Sequence, residues 1–70
     1  MPFIHINMVK EETITQAQKE TLMREITQLT TQVLGKNPAT TMIVFNEVDA
    51  NNWSIGGTTV ASIKNKTNNK

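Results

Sequence analysis

The stretch PFIHINMVKEETITQAQKETLMREITQLTTQVLG (residues 2–35) decides the fold, because the spacing of its apolar residues changes partway along. The first part alternates as a β-strand does, with one apolar face and one mixed face: Ile4, Ile6 and Met8 against Phe3, His5 and Asn7. From Gln16 to Leu34 the spacing is helical, with a predicted core stripe of Leu22, Ile26, Leu29 and Val33 flanked by Met23, Thr30 and Leu34. Thr15 and Gln18 have capping-box spacing, and Gly35 stands where a left-handed C-cap is expected.

A second strand follows in TTMIVFNEV (residues 40–48), with Thr41, Ile43 and Phe45 on one face and Met42, Val44 and Asn46 on the other. Strand, helix and strand predict an α/β (α+β) fold, a single β-α-β unit with parallel strands and a right-handed crossover. One helix covers only one face of such a sheet. We therefore expect oligomerisation to complete the fold.

The C-terminal third is rich in turn residues. In VDANNWSIGGTTVASI (residues 48–63) the Gly56-Gly57 pair predicts a short hairpin. The polar KNKTNNK (residues 64–70) predicts a loose tail. The predicted organisation is one domain over residues 1–63 and a disordered tail over residues 64–70.

Composition excludes several classes of function. The 70 residues carry a net charge of +1, which provides no basic footprint for nucleic acid. Without cysteine and with one histidine, the chain offers no metal site, and we expect no cofactor. It has no apolar run of membrane-spanning length and no secretion signal, so we expect a cytoplasmic protein with no membrane partner. A chain this short buries only about 60% of its unfolded surface, which also favours self-association.

Pro2 has two possible explanations. A proline is tolerated at the first residue of a strand because its missing N–H is not needed there. Alternatively, removal of Met1 leaves a secondary amine that acts as a base. α-Amino groups have a reference pKa of about 7.7 to 8.0, and apolar surroundings lower it towards neutrality. Phe3, Met42 and Trp53 are apolar residues suited to such surroundings.

In the order and spacing of five stretches, this chain resembles the 4-oxalocrotonate tautomerase family, more narrowly its short bacterial DmpI-like members. These stretches are the leading Met-Pro, FIHINMV, QKETLMREI, TTMIVFNEV and NNWSIGG. The resemblance covers about residues 2 to 63. It implies hexamers built as trimers of dimers, sites near subunit boundaries, and an amino-terminal proline as general base for keto-enol proton transfer on a small 2-keto acid. Pro2 matches that proline.

The resemblance also implies two arginines that bind substrate carboxylates, and neither is present here. The second-strand position reads Met42, and the loop position falls near Lys10, Glu11 or Glu12. Because lysine does not reproduce the bidentate arginine geometry, a small or apolar keto-enol acid fits better than a dicarboxylate. The aromatic site position matches Trp53, which either walls the pocket or packs between subunits.

Three functions follow from these residues. The first is a tautomerase with Pro2 as base and Trp53, Lys10, Met42 and Phe3 shaping the substrate site. The second is a hydratase, dehalogenase or decarboxylase, in which Glu11, Glu12 or Glu47 would activate water. The third is an assembling protein without activity. His5 is interpreted as an interface histidine, and Arg24 as a solvated helix residue.

Overall fold

The computed structural model describes residues 1–68, with side chains described for residues 1–65. Strand β1 (Phe3–Val9) leads to helix α1 (Gln16–Leu34), a 3₁₀ turn at Pro38–Thr40 and strand β2 (Met42–Val48). A second 3₁₀ turn at Ala50–Asn52 precedes β3 (Ser54–Ile55), β4 (Thr58–Thr59) and helix α2 (Val60–Asn68). Strands β1 and β2 are parallel and β3 and β4 antiparallel, which confirms the predicted β-α-β unit and hairpin.

Helix α1 begins and ends where the sequence predicts. The Thr15 hydroxyl accepts from the Gln18 N–H at 3.1 Å, and the Gln18 side chain accepts from the Thr15 N–H at 2.9 Å, so the capping box is complete. Gly35 closes the helix in the left-handed conformation at φ 67°. These local bonds satisfy helix-terminal groups that have no partner within the helix.

The two faces of the sheet also follow the predicted alternation. Residues of β1 and β2 that point towards α1 are half-buried, whereas those that point away are exposed. The exposed residues form the open sheet face, which consists of Phe3, His5, Asn7, Met42, Val44 and Asn46. In register, Phe3 lies opposite Met42, His5 opposite Val44 and Asn7 opposite Asn46.

The part of α1 that is most shielded from solvent overlaps the predicted stripe and its flanking residues only in part. Met23, Ile26, Thr27 and Thr30 are half-buried, whereas Leu22, Leu29 and Val33 are exposed, Leu29 at 57% and Val33 at 70%. Three threonine hydroxyls on the shielded side donate to carbonyls one turn earlier, those of Met23, Ile26 and Thr27. Bonded in this way, a threonine meets its hydrogen-bonding need within the helix, so it is tolerated where an apolar residue was expected.

The C-terminal arm, residues 53–68, is a hairpin followed by a helix. Gly56 and Gly57 have φ of 61° and 87°, which matches a two-residue type I′ turn. The Thr59 hydroxyl accepts from the Ser62 N–H at 3.2 Å, as an N-cap does, and α2 then runs to Asn68. Residues 64–68 are therefore helical where the sequence predicts a loose tail, and residues 69 and 70 lie outside the described residues.

The chain by itself encloses no core. Among the side chains that the structure describes, none is fully buried. The radius of gyration is 15.9 Å, whereas a compact chain of this length has one of about 11 Å. The exposed area of 5346 Å² exceeds the roughly 4,400 Å² expected of a compact monomer of this mass.

Candidate active site

Pro2 lies at the N-terminal edge of the parallel sheet, one residue before β1. Its carbonyl accepts a hydrogen bond from the Met42 N–H at 2.9 Å, which ties the residue to the first residue of β2. The Pro2 side chain is half-buried, whereas Met1 is 84% exposed. Met1 therefore projects from the body of the protein, and its removal would expose the Pro2 nitrogen without loss of buried contacts.

Phe3 follows Pro2 in the chain, and Met42 donates its N–H to the Pro2 carbonyl. They are partners in the strand register and both belong to the open sheet face. Phe3 is 63% exposed, and its ring stacks on the His5 imidazole with centroids 6.1 Å apart. Phe3 and Met42 form an apolar patch on the open sheet face, whereas the Pro2 side chain beside them is half-buried.

Lys10 and Trp53 lie at the opposite edge of the sheet. Lys10 follows the last residue of β1, and its N–H donates to the Val48 carbonyl at 2.7 Å. Trp53 follows the turn after β2, is half-buried, and accepts from the Val60 N–H at 2.7 Å through its carbonyl. Both residues therefore flank the C-terminal ends of the two strands.

The two groups of predicted site residues are separated by the length of the sheet. The register pairs Phe3 with Met42 at one end and Val9 with Val48 at the other. At about 3.3 Å per residue these ends are roughly 20 Å apart. One copy of the chain thus brings Pro2, Phe3 and Met42 together but does not bring Lys10 or Trp53 to them.

An ion pair that was not predicted from the sequence lies at the C-terminal edge. The Lys19 ammonium is 2.5 Å from a Glu47 carboxylate oxygen, and the two side chains are 18% and 24% exposed. The signal was present in the topology, because a parallel β-α-β unit places the start of its helix beside the C-terminal ends of its strands. Glu47 is therefore engaged within its own chain.

Arg24 lies away from both edges of the sheet. Its guanidinium contacts the Thr21 hydroxyl at 3.4 Å and the side chain is exposed. The i, i+4 spacing predicts an ion pair with Glu20, which the structure does not form. Arg24 is thus a solvated helix residue, as predicted.

Two shallow depressions follow the N-terminal half of α1. One, of about 320 Å³, is lined by Met8, Ile14, Gln18, Lys19, Leu22 and Phe45. The other, of about 430 Å³, lies on the helix surface around Thr21 and Leu22. Neither is lined by a predicted site residue. No helix in residues 1–68 has the length and apolar character to cross a membrane.

Comparisons with known proteins identify the family of this chain. The model of the tautomerase enzyme family matches residues 2–63. A protein of Dickeya dadantii named "Probable tautomerase K2" is 47% identical over 60 residues, which cover 86% of this chain and 88% of that protein.

Solved structures show the same fold. DmpI from Helicobacter pylori superposes with a TM-score of 0.82 at 35% identity, covering 91% of this chain and 97% of that one. A 4-oxalocrotonate tautomerase isozyme from Methylibium petroleiphilum gives 0.83 at 28% identity, covering 93% and 98%. A heterohexameric 4-oxalocrotonate tautomerase from Chloroflexus aurantiacus shares the fold with a TM-score of 0.78 at 24% identity, covering 90% and 98%. The chain therefore belongs to the tautomerase family of enzymes.

Proposed function

We propose that this protein is a keto-enol tautomerase that acts on a small 2-keto acid, with the nitrogen of Pro2 as the general base. The observation that carries the proposal is the position of Pro2. It is held at the edge of the sheet by the bond from the Met42 N–H at 2.9 Å, while Met1 is exposed and free to be removed.

The chemistry needs a base that is unprotonated near neutral pH. Once Met1 is removed, the Pro2 nitrogen is a secondary amine, and α-amino groups have a reference pKa of about 7.7 to 8.0. The neighbouring apolar side chains of Phe3 and Met42 would disfavour the charged ammonium once a second copy excludes water from them. The neutral nitrogen then accepts the enol hydroxyl proton as the carbonyl forms, and returns a proton to the carbon that receives the electron pair of the C=C bond.

The predicted site residues favour a substrate with one carboxylate. Met42 stands in β2 where the resemblance implies an arginine, so this position contributes an apolar contact and no charge. Lys10 is exposed on the loop after β1 and supplies a single cation. Trp53 offers a ring wall and an indole N–H donor. One cation and one neutral donor suit a monocarboxylic keto-enol acid better than a dicarboxylate.

A complete site requires more than one copy of the chain. Pro2, Phe3 and Met42 lie at one end of the parallel strands, and Lys10 follows the other end, roughly 20 Å away. Trp53 follows the turn after β2, so a second copy is what would bring Lys10 and Trp53 to Pro2. The chain exposes roughly 900 Å² more than a compact monomer would, close to the roughly 800 Å² that each partner buries in a standard interface. We propose a homohexamer arranged as a trimer of dimers, in keeping with the heterohexameric neighbour.

The experiment measures ketonisation of enolic 2-keto acids by the mature protein, the Pro2→Ala variant and a form with an uncleaved extension before Pro2. Intact mass establishes which protein begins at residue 2. We expect activity in the mature wild type, a loss of at least about 100-fold in Pro2→Ala, and none in the extended form, whose nitrogen is an amide. Equal rates in all three proteins would refute the assignment. Hydration or dehalogenation of 3-haloacrylates without ketonisation would indicate the alternative reactions.

A further inference from the structure

His5 gives the open sheet face a titratable group in an otherwise uncharged surface. Its imidazole stacks on Phe3 and lies opposite Val44 in the strand register. Asn7 and Asn46, at the C-terminal end of the face, bond to each other at 3.1 Å. None of the six residues of this face other than His5 changes charge with pH.

The charged groups near the sheet lie elsewhere. Glu47 belongs to the helix side of β2, where it pairs with Lys19 at 2.5 Å. Lys10 and Asp49 follow the ends of the strands, and Asp49 accepts from the Asn51 N–H at 2.8 Å. No carboxylate on the open sheet face is therefore available to stabilise a protonated His5.

A second copy of this chain is the occupant that best fits the face. Helix α1 covers the other side of the sheet, so this face has no partner within the described chain. Three of its six residues, Phe3, Met42 and Val44, are exposed large hydrophobic side chains. A copy presenting the same face adds apolar area, asparagines and another His5, but no carboxylate.

We propose that His5 makes self-association through the open sheet face depend on pH, so that copies associate when the imidazole is neutral and separate when it is protonated. Burial of an unpaired imidazolium is unfavourable, and two such groups would also repel each other. A group that must be neutral in the assembly stabilises it at high pH, and this stabilisation is lost as the pH falls. The inference rests on the self-association part of the proposed function and is independent of the reaction.

The size of the effect follows from histidine titration. Histidine is the side chain that changes charge between pH 5 and pH 8, so a face that must bury it uncharged binds its copy less tightly at pH 5. We expect the association constant to be at least about 10-fold lower at pH 5 than at pH 8. This change is large enough to detect by dilution.

The experiment measures assembly by light scattering after size exclusion, over a dilution series at pH 8 and pH 5. Three variants accompany the wild type. His5→Gln stays neutral, and His5→Arg is always charged. The third carries His5→Gln with Gln28→His, which moves the histidine to an exposed position on α1. Circular dichroism checks that each variant keeps its secondary structure.

We expect the wild type to dissociate at pH 5 and not at pH 8. His5→Gln and the relocated-histidine variant should stay assembled at both values, and His5→Arg should be dissociated at both while retaining its helices. Wild type that stays assembled at pH 5 would overturn the inference, as would His5→Gln that dissociates there. A chain that is monomeric at every pH and concentration would refute self-association itself. An assembled, pH-responsive but inactive protein would refute only the proposed reaction.

Discussion

Activity should be restored when two inactive variants of this protein assemble together. Pro2→Ala removes the proposed base at one edge of the sheet, and Trp53→Ala removes the aromatic residue near the other. The strand register separates these edges by roughly 20 Å, far beyond the roughly 3 Å of a hydrogen bond. In the proposed site, Pro2 comes from one copy and Trp53 from another, so a mixed assembly would contain some sites in which both are native.

The expected recovery follows from random mixing. When the variants are unfolded together in equal amounts and refolded, a site receives native Pro2 with a chance of one half and native Trp53 with the same chance. Roughly one quarter of the sites should then be intact in a symmetric homomeric architecture. The ketonisation rate should rise to about 25% of the wild-type rate, well above that of either variant alone.

The assay compares three refolded mixtures by rate and by native mass spectrometry. Pro2→Ala with Trp53→Ala is the test, and Pro2→Ala with Pro2→Gly is the matched control, since no arrangement of those chains yields a native base. The third mixture, wild type with Pro2→Ala, measures the effect of dilution. Mixed assemblies that form but recover no activity would show that the residues of one site come from one chain, contrary to the separation of the two edges along the strands.

Two further predictions concern stability, measured by urea unfolding at a fixed protein concentration because the assembled state depends on it. Lys19→Met leaves the half-buried Glu47 carboxylate unpaired and should lower the free energy of unfolding by about 1–2 kcal/mol. Adding Glu47→Leu should restore part of that stability. An equal or larger loss in the double variant would contradict a direct ion pair. Gly57→Val should lower the free energy of unfolding by about 1–2 kcal/mol because φ is 87°, although a Cβ there meets no atom within 4 Å. Gly57→Asn should lower it less, because asparagine adopts positive φ more readily than valine. Equal losses for the two variants would show that backbone conformation is not the cause.

The elements of the main unit were predictable because their signals are local. Alternation over Phe3–Val9, the capping box at Thr15 and the glycine at position 35 each act within a few residues, and the structure has all three. Helix α2 was not predicted, since its polar composition suggested a tail. Its start depends on the Thr59 hydroxyl, which the β3–β4 hairpin holds next to the Ser62 N–H.

The candidate site was predictable only in part. The sequence indicated Pro2 as the base and grouped it with Phe3 and Met42, and the structure places these three residues at one edge. It also grouped Lys10 and Trp53 with them, whereas in one copy of the chain they lie at the other edge. The spacing of residues within one chain does not indicate which residues of a second copy will lie next to them.

By itself, the sequence determined the order and type of the main elements and the faces of the two strands, because periodicity and end-capping are properties of short segments. Only the tertiary structure decided that Thr27 is shielded while Leu29 and Val33 stay exposed, and that Lys19 pairs with Glu47. Both depend on how the crossover seats α1 against the sheet. The rotation and position of α1 on the sheet are set by packing between segments that are distant in the chain. A local sequence pattern carries no information about such packing.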